Sequence, residues 1–103
     1  MTYIEELQGM IRKLHGAEAI HRGNQSVTEM FNGKVIWQGV VEIFELIGHE
    51  SATRVYAWSH STDDPANPTR YVTVLHKGSV DSPRAAVRAA IIQEYRDAEA
   101  AEA

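Results

Sequence analysis

The sequence predicts an α+β domain in which a helix, a four-stranded antiparallel meander and a second helix follow one another. Three observations support this order. The first and last segments repeat apolar residues every three or four positions, as amphipathic helices do. Four runs between them are rich in β-branched and aromatic residues, which favour strands. Asn32-Gly33 joins the first two of these runs, and Asn-Gly is the strongest short signal for a β-hairpin.

The first predicted helix begins at Thr2 and ends at Gly16. Thr2 and Glu5 are spaced as a capping box, which satisfies free backbone N–H groups at a helix start. Glycine is the common C-terminal stop because it adopts a left-handed backbone without strain. Residues 17–26 match no element clearly, although a strand could begin near Ile20.

The four predicted strands cover residues 27–31, 34–47, 53–60 and 70–76. The second of these is apolar on both faces, which is typical of a central strand that is covered on both sides. Pro65 and Pro68 exclude ladder pairing in the loop between the third and fourth strands.

The last predicted helix opens with Ser82 as N-cap and Pro83 at the first helical position. Because so apolar a sheet must be covered, we expect both helices to pack on one of its faces. We assign that face by its small or β-branched side chains on the third and fourth strands. They are Val55, Ala57, Val72 and Val74.

The third strand places its large side chains on the opposite face. If the hairpin after the third strand pairs His60 with Thr69, these side chains lie beside large side chains of the neighbouring strands. Together they form an aromatic surface. The predicted partner or ligand face consists of Trp37, Arg54, Tyr56, Trp58, Tyr71 and Leu75. Tyrosine and tryptophan are enriched at interfaces, so this face predicts a homodimer packed sheet on sheet. Two alternatives are a cover formed by the N-terminal segment or the long loop, and a platform for a small flat ligand.

Composition limits the class of partner and the compartment. A net charge of −4 argues against nucleic acid, whose phosphates require a surplus of basic groups. The absence of cysteine fits a reducing compartment, and no apolar run is long enough to enter a membrane. We therefore expect one cytoplasmic domain over residues 1–103, with no nucleic-acid or membrane partner.

No motif in the sequence predicts a reaction, a cofactor or a metal site. The five histidines have none of the short spacings that metal ligands show. His60 lies near Asp63 and Asp64, and Glu42 points toward an apolar face of a central strand, where burial would raise its pKa. These two are the catalytic candidates for an alternative function, a small enzyme with its pocket at a dimer interface.

Three motifs together resemble a group of bacterial sequences. They are Tyr56-Ala57-Trp58-Ser59-His60, then Tyr71-Val72-Thr73-Val74-Leu75-His76, then Asp81-Ser82-Pro83 with Ala86-Val87. They are similar to motifs of short hypothetical proteins found on mobile, integron-type gene cassettes. The resemblance covers most of the chain and implies no known activity.

Overall fold

The computed structural model describes residues 1–102, with side chains for residues 1–100, and has six elements in the predicted order. They are α1 (Tyr3–His15), β1 (Glu18–Phe31), β2 (Lys34–Ile47), β3 (Arg54–Ser61), β4 (Thr69–Leu75) and α2 (Pro83–Glu102). The strands form one antiparallel sheet in the order β1-β2-β3-β4. The predicted α+β class and meander are therefore confirmed.

Helix α1 has the ends that its sequence predicts. The Thr2 hydroxyl accepts a hydrogen bond from the Glu5 backbone N–H at 3.2 Å, and the Glu5 carboxylate accepts one from the Thr2 N–H at 3.1 Å. Gly16 closes the helix with φ 65°, a left-handed conformation. Leu7 and Ile11 are fully buried against the sheet. Burial of side chains of this size contributes about 1.5–3 kcal/mol each.

Strand β1 begins at Glu18, well before the predicted strand at residues 27–31 and close to the early start near Ile20 that the sequence allows. It pairs with β2 from Glu18, opposite Ile47, to Phe31, opposite Lys34. The register shifts between His21 and Gly23, and Gly23 has φ 149°. A bulge of this kind breaks the period-two pattern that identifies a strand, so residues 17–26 showed no clear alternation.

The two helices lie on opposite faces of the sheet, so the prediction that both pack on one face is wrong. Successive strand residues point to opposite faces, and β3 divides its residues between two separate hydrophobic clusters. On the α1 face the buried cluster is Leu7, Ile11, Ala17, Phe44, Leu46, Ala52, Val55 and Ala57. On the α2 face it is Val27, Val41, Tyr56, Trp58, Ala86 and Val87. Each face of this small sheet therefore has its own helix.

The hairpin between β3 and β4 closes one residue later than predicted. Ser61, not His60, pairs with Thr69, and the backbone N–H of Thr62 donates to the Pro68 carbonyl at 2.9 Å. A shift of one residue reverses the face of every side chain on the moved strand. Val72 and Val74, predicted to lie with Val55 and Ala57, consequently pack on the α2 face.

An ion-pair clamp fixes the first turns of α2 to β1. The carboxylate of Glu29 is buried and contacts Arg84 Nη1 at 3.0 Å and Arg88 Nε at 3.1 Å. Arg84 also donates to the Thr28 carbonyl at 3.1 Å. Both arginines reach solvent, so the buried carboxylate is neutralised by two cations that keep much of their hydration.

Because this clamp holds α2 on the sheet, we expect Glu29→Ala to lower the free energy of unfolding by about 1–3 kcal/mol, a typical loss for hydrogen bonds to a charged group. Urea unfolding followed by circular dichroism measures the change. Glu18→Ala is the matched control, because Glu18 meets Arg12 only at 3.7 Å on an exposed surface. We expect it to cost less than about 0.5 kcal/mol, and equal losses for the two variants would contradict a structural role for the clamp.

Candidate functional site

The predicted aromatic face is not an exposed surface. Tyr56 and Trp58 are 0% and 3% exposed, and they pack in the same cluster as Ala86 and Val87 of α2. Trp37 is half-buried beside them, with its ring centroid 5.6 Å from that of Trp58 in an edge-on arrangement. Helix α2 therefore covers the aromatic side chains that were expected to meet a partner.

Two members of that predicted face lie on the other side of the sheet. The one-residue difference in register places Tyr71 and Leu75 on the α1 face, packed against its cluster. The Tyr71 hydroxyl donates to Glu6 Oε1 at 3.4 Å. Partial desolvation raises the pKa of the Tyr71 phenol, and the nearby Glu6 carboxylate raises it further. Tyr71 thus helps to seat α1, while Arg54 remains exposed on the α2 face.

The two catalytic candidates, Glu42 and His60, lie on opposite faces of the sheet. Glu42 pairs in register with Ala57 and shares its face, whereas His60 lies on the α2 face, 3.8 Å from Glu94 Oε1. A single pocket of one chain cannot contain both side chains. The predicted use of His60 and Glu42 in a pocket at a dimer interface would therefore need one side chain from each copy, and it stays a prediction.

Glu42, which is buried, instead belongs to a polar cluster with two residues of β1, the partly buried His21 and the exposed Asn24. Its Oε1 contacts His21 Nε2 at 2.8 Å and Asn24 Nδ2 at 3.4 Å. The His21 ring also packs against Phe44, with centroids 5.3 Å apart. No short-range pattern connects His21 with Glu42, because the contact depends on the pairing of β1 with β2. The alternation that places Ala17, Ala19 and His21 on one face is the sequence signal that indicates a strand in this segment.

A charge-poor hairpin segment projects its apolar side chains into solvent. We call residues 26–41 the distal hairpin. Apart from Glu29, which is clamped by α2, Lys34 is its one charged residue. In a chain with 23% charged residues, about four would be expected over this length. Its exposed large apolar side chains are Met30, Phe31, Val35, Ile36 and Val40.

Neither edge of the distal hairpin has a strand partner among the described residues, since β1 is the first strand of the sheet and β2 leaves β3 before this segment. Strand β2 pairs with β3 only where Glu42–Glu45 meets Arg54–Ala57. Residues 34–41 of β2 pair with β1 alone. A strand edge of this kind presents unpaired backbone N–H and C=O groups and is a template for a further strand.

Comparisons with protein-family models, with curated proteins and with solved structures found no match. The resemblance to short bacterial gene-cassette proteins therefore stays a prediction. Within residues 1–102, no helix combines the length and the apolar character that crossing a bilayer requires.

A pair of histidines lies where α1 meets the sheet. His15 Nε2 is 2.7 Å from the Thr73 hydroxyl, and the rings of His15 and His49 are 6.3 Å apart. The Nδ1 atom of His49 accepts hydrogen bonds from the backbone N–H groups of Ser51 and Ala52. Desolvation lowers the pKa of His15 below its ordinary value of 6.5, and repulsion from His49 lowers it further.

This lowered pKa predicts that the protein loses stability in mild acid. Below the unfolded pKa, the unfolded chain binds the proton more readily than the folded chain does. The contribution of His15 is fully present above that pKa and is lost as the pH falls through the folded value. We expect the free energy of unfolding to decline between about pH 7.5 and about pH 5.5, and His15→Asn to reduce the decline.

Urea titrations at a series of pH values measure this dependence. His60→Asn is the comparison variant, because His60 is an exposed histidine on the other face of the sheet. If it reduces the decline as much as His15→Asn does, the effect does not originate at the α1 interface.

Proposed function

We propose that this chain is a small cytosolic interaction protein that acts as a homodimer, with the distal hairpin as its interface. The observation that carries the proposal is the combination, in one segment, of exposed apolar side chains, few charges and an unpaired strand edge. In this proposal the predicted homodimer forms through the hairpin, because α2 buries the aromatic side chains.

The lengths of the elements support this surface. Thirteen residues of α1 extend about 20 Å, whereas a strand of fourteen residues extends about 46 Å. The residues of the first hairpin that pack in the α1 cluster accordingly lie at the end of the hairpin near Ala17 and Leu46. On the same face farther along, Met30 and Val35 form an exposed cross-strand pair, and Val40 is also exposed.

Electrostatics favours a second copy as the occupant of this surface. Two chains of net charge −4 repel each other at long range. They approach most easily through a surface without free carboxylates, and Glu29, the one acidic residue of the distal hairpin, is neutralised by two arginines. Depletion of charge at the centre of a contact is also the compositional mark of protein interfaces.

The unpaired edge of β2 offers a way to join the two copies. Residues 34–41 of one chain can pair antiparallel with the same residues of the other around a two-fold axis, which is the self-complementary arrangement of a closed dimer. Five side chains that are about half exposed leave on the order of 500 Å² of apolar surface per copy. A standard interface buries about 800 Å² per partner, and in homodimers about 65% of it is apolar. The available apolar area therefore matches the need.

Light scattering coupled to size exclusion tests the dimer. We expect the chain to elute with twice its monomer mass at micromolar concentration, and Ile36→Glu to give a folded monomer, because each copy would then place a carboxylate in the contact. Ile92→Glu is the matched control, since Ile92 on α2 is 51% exposed and Ile36 is 50% exposed. Circular dichroism verifies that both variants fold.

Two results would overturn the proposal. A wild-type chain that stays monomeric at about 100 μM would exclude a stable dimer. The second result is that Ile92→Glu is monomeric while Ile36→Glu remains a dimer. It would place the interface on α2 instead of the hairpin.

A further inference from the structure

The α2 face carries a polar cleft with a concentration of cationic groups. The cleft measures about 480 Å³ and is lined by Arg22, Glu45, Thr53, Arg54 and His76. This volume falls within the range of small-molecule sites, about 300–1,000 Å³. None of these residues belongs to the distal hairpin, so the cleft is separate from the proposed dimer contact.

Arg54 is the unusual member of this group. It stands directly opposite Glu45 in the sheet, where a cross-strand ion pair would be expected. The Glu45 carboxylate is instead held by Arg22, through Nε at 2.7 Å and Nη2 at 2.5 Å. Among the residues described, Arg54 takes part in no ion pair, whereas Arg22 and Arg70, the other arginines within the strands, each contact a carboxylate. Its guanidinium is free to accept an anion from solution.

His76 is positioned beside Arg54 by two contacts. Its backbone N–H donates to the Arg54 carbonyl at 2.9 Å, and its ring Nδ1 lies 2.7 Å from the hydroxyl of Tyr56, a fully buried residue. When the phenol donates to Nδ1, the ring proton of a neutral imidazole resides on Nε2. The buried tyrosine thus orients the ring, and in this tautomer Nε2 is a hydrogen-bond donor.

From this arrangement we propose that the cleft binds the phosphate or carboxylate group of a small molecule. The planar guanidinium of Arg54 donates two parallel hydrogen bonds to an oxyanion, a geometry that both groups fit. The N–H group of His76 and the hydroxyl of Thr53 supply further donors. Glu45 does not oppose the anion strongly, because Arg22 neutralises its charge. Every residue of the lining is polar or charged, which suits a small hydrated anion better than an apolar ligand.

The test uses inorganic phosphate and malonate as two separate probes on the full chain. Unfolding temperature is followed against concentration of each anion, with ionic strength kept constant by sodium chloride. A ligand that binds the folded state raises this temperature by mass action. We expect Arg54→Gln to weaken binding about tenfold, and His76→Gln to weaken it by a smaller factor.

Arg70→Gln is the matched control, because Arg70 is also a strand arginine on the α2 face but is already paired with Glu94. It should respond as the wild type does, and this comparison also corrects for the general stabilisation that phosphate gives to folded proteins. Backbone amide shifts in NMR spectra provide a second readout, expected at Thr53, Arg54 and His76.

A response to phosphate alone or to malonate alone identifies which oxyanion the cleft prefers, and either result supports the site. If neither anion acts, or if Arg54→Gln responds exactly like Arg70→Gln in both readouts, the proposal is wrong. Repeating the titration on Ile36→Glu tests anion binding independently of the dimer. The cleft should bind the anion equally well in a monomer.

Discussion

A helix packed on each face of β3 is the constraint on which the rest of this structure depends. Val55 and Ala57 are buried under α1, and Tyr56 and Trp58 are buried under α2. The α1 cluster takes small side chains from β3, and the α2 cluster takes two aromatic ones. A shift of one residue would exchange these two sets between the helices and leave neither side well packed. The large and small sets of β3 are therefore well packed only in the register that the sheet adopts.

This two-sided packing also determines which surfaces remain for function. Each helix covers only part of a sheet whose first two strands are fourteen residues long. The distal hairpin extends past α1 with little charge and an unpaired edge, and the cleft at Arg54 lies on the α2 face without a residue of α2 in its lining. The cleft and the exposed side chains of the distal hairpin thus occupy regions that the helices leave uncovered, while Val27 and Val41 of the same hairpin are buried in the α2 cluster.

Sequence signals between residues a few positions apart predicted the helices and strands well. Contacts between distant residues were not predicted. The capping box at Thr2, the Asn32-Gly33 hairpin and the Ser82-Pro83 helix start all depend on residues a few positions apart, and each is present. The candidate site was predicted only in part. Arg54 was named as a ligand residue and lines the cleft, but its partner His76 was not connected with Tyr56. Those contacts arise from strand pairing across twenty residues, which no short pattern records.

The sequence alone determined the α+β class, the order of the elements and the division of β3 into a large and a small set of side chains. Only the tertiary structure decided which helix covers which set. That choice depends on the exact residue at which each hairpin closes, and Ser61, not His60, pairs with Thr69. The tertiary structure also decided the pair of His21 and Glu42, which lies beside the bulge near Gly23. Alternation defines two faces but carries no information about what packs on each, because that is set by contacts between distant segments.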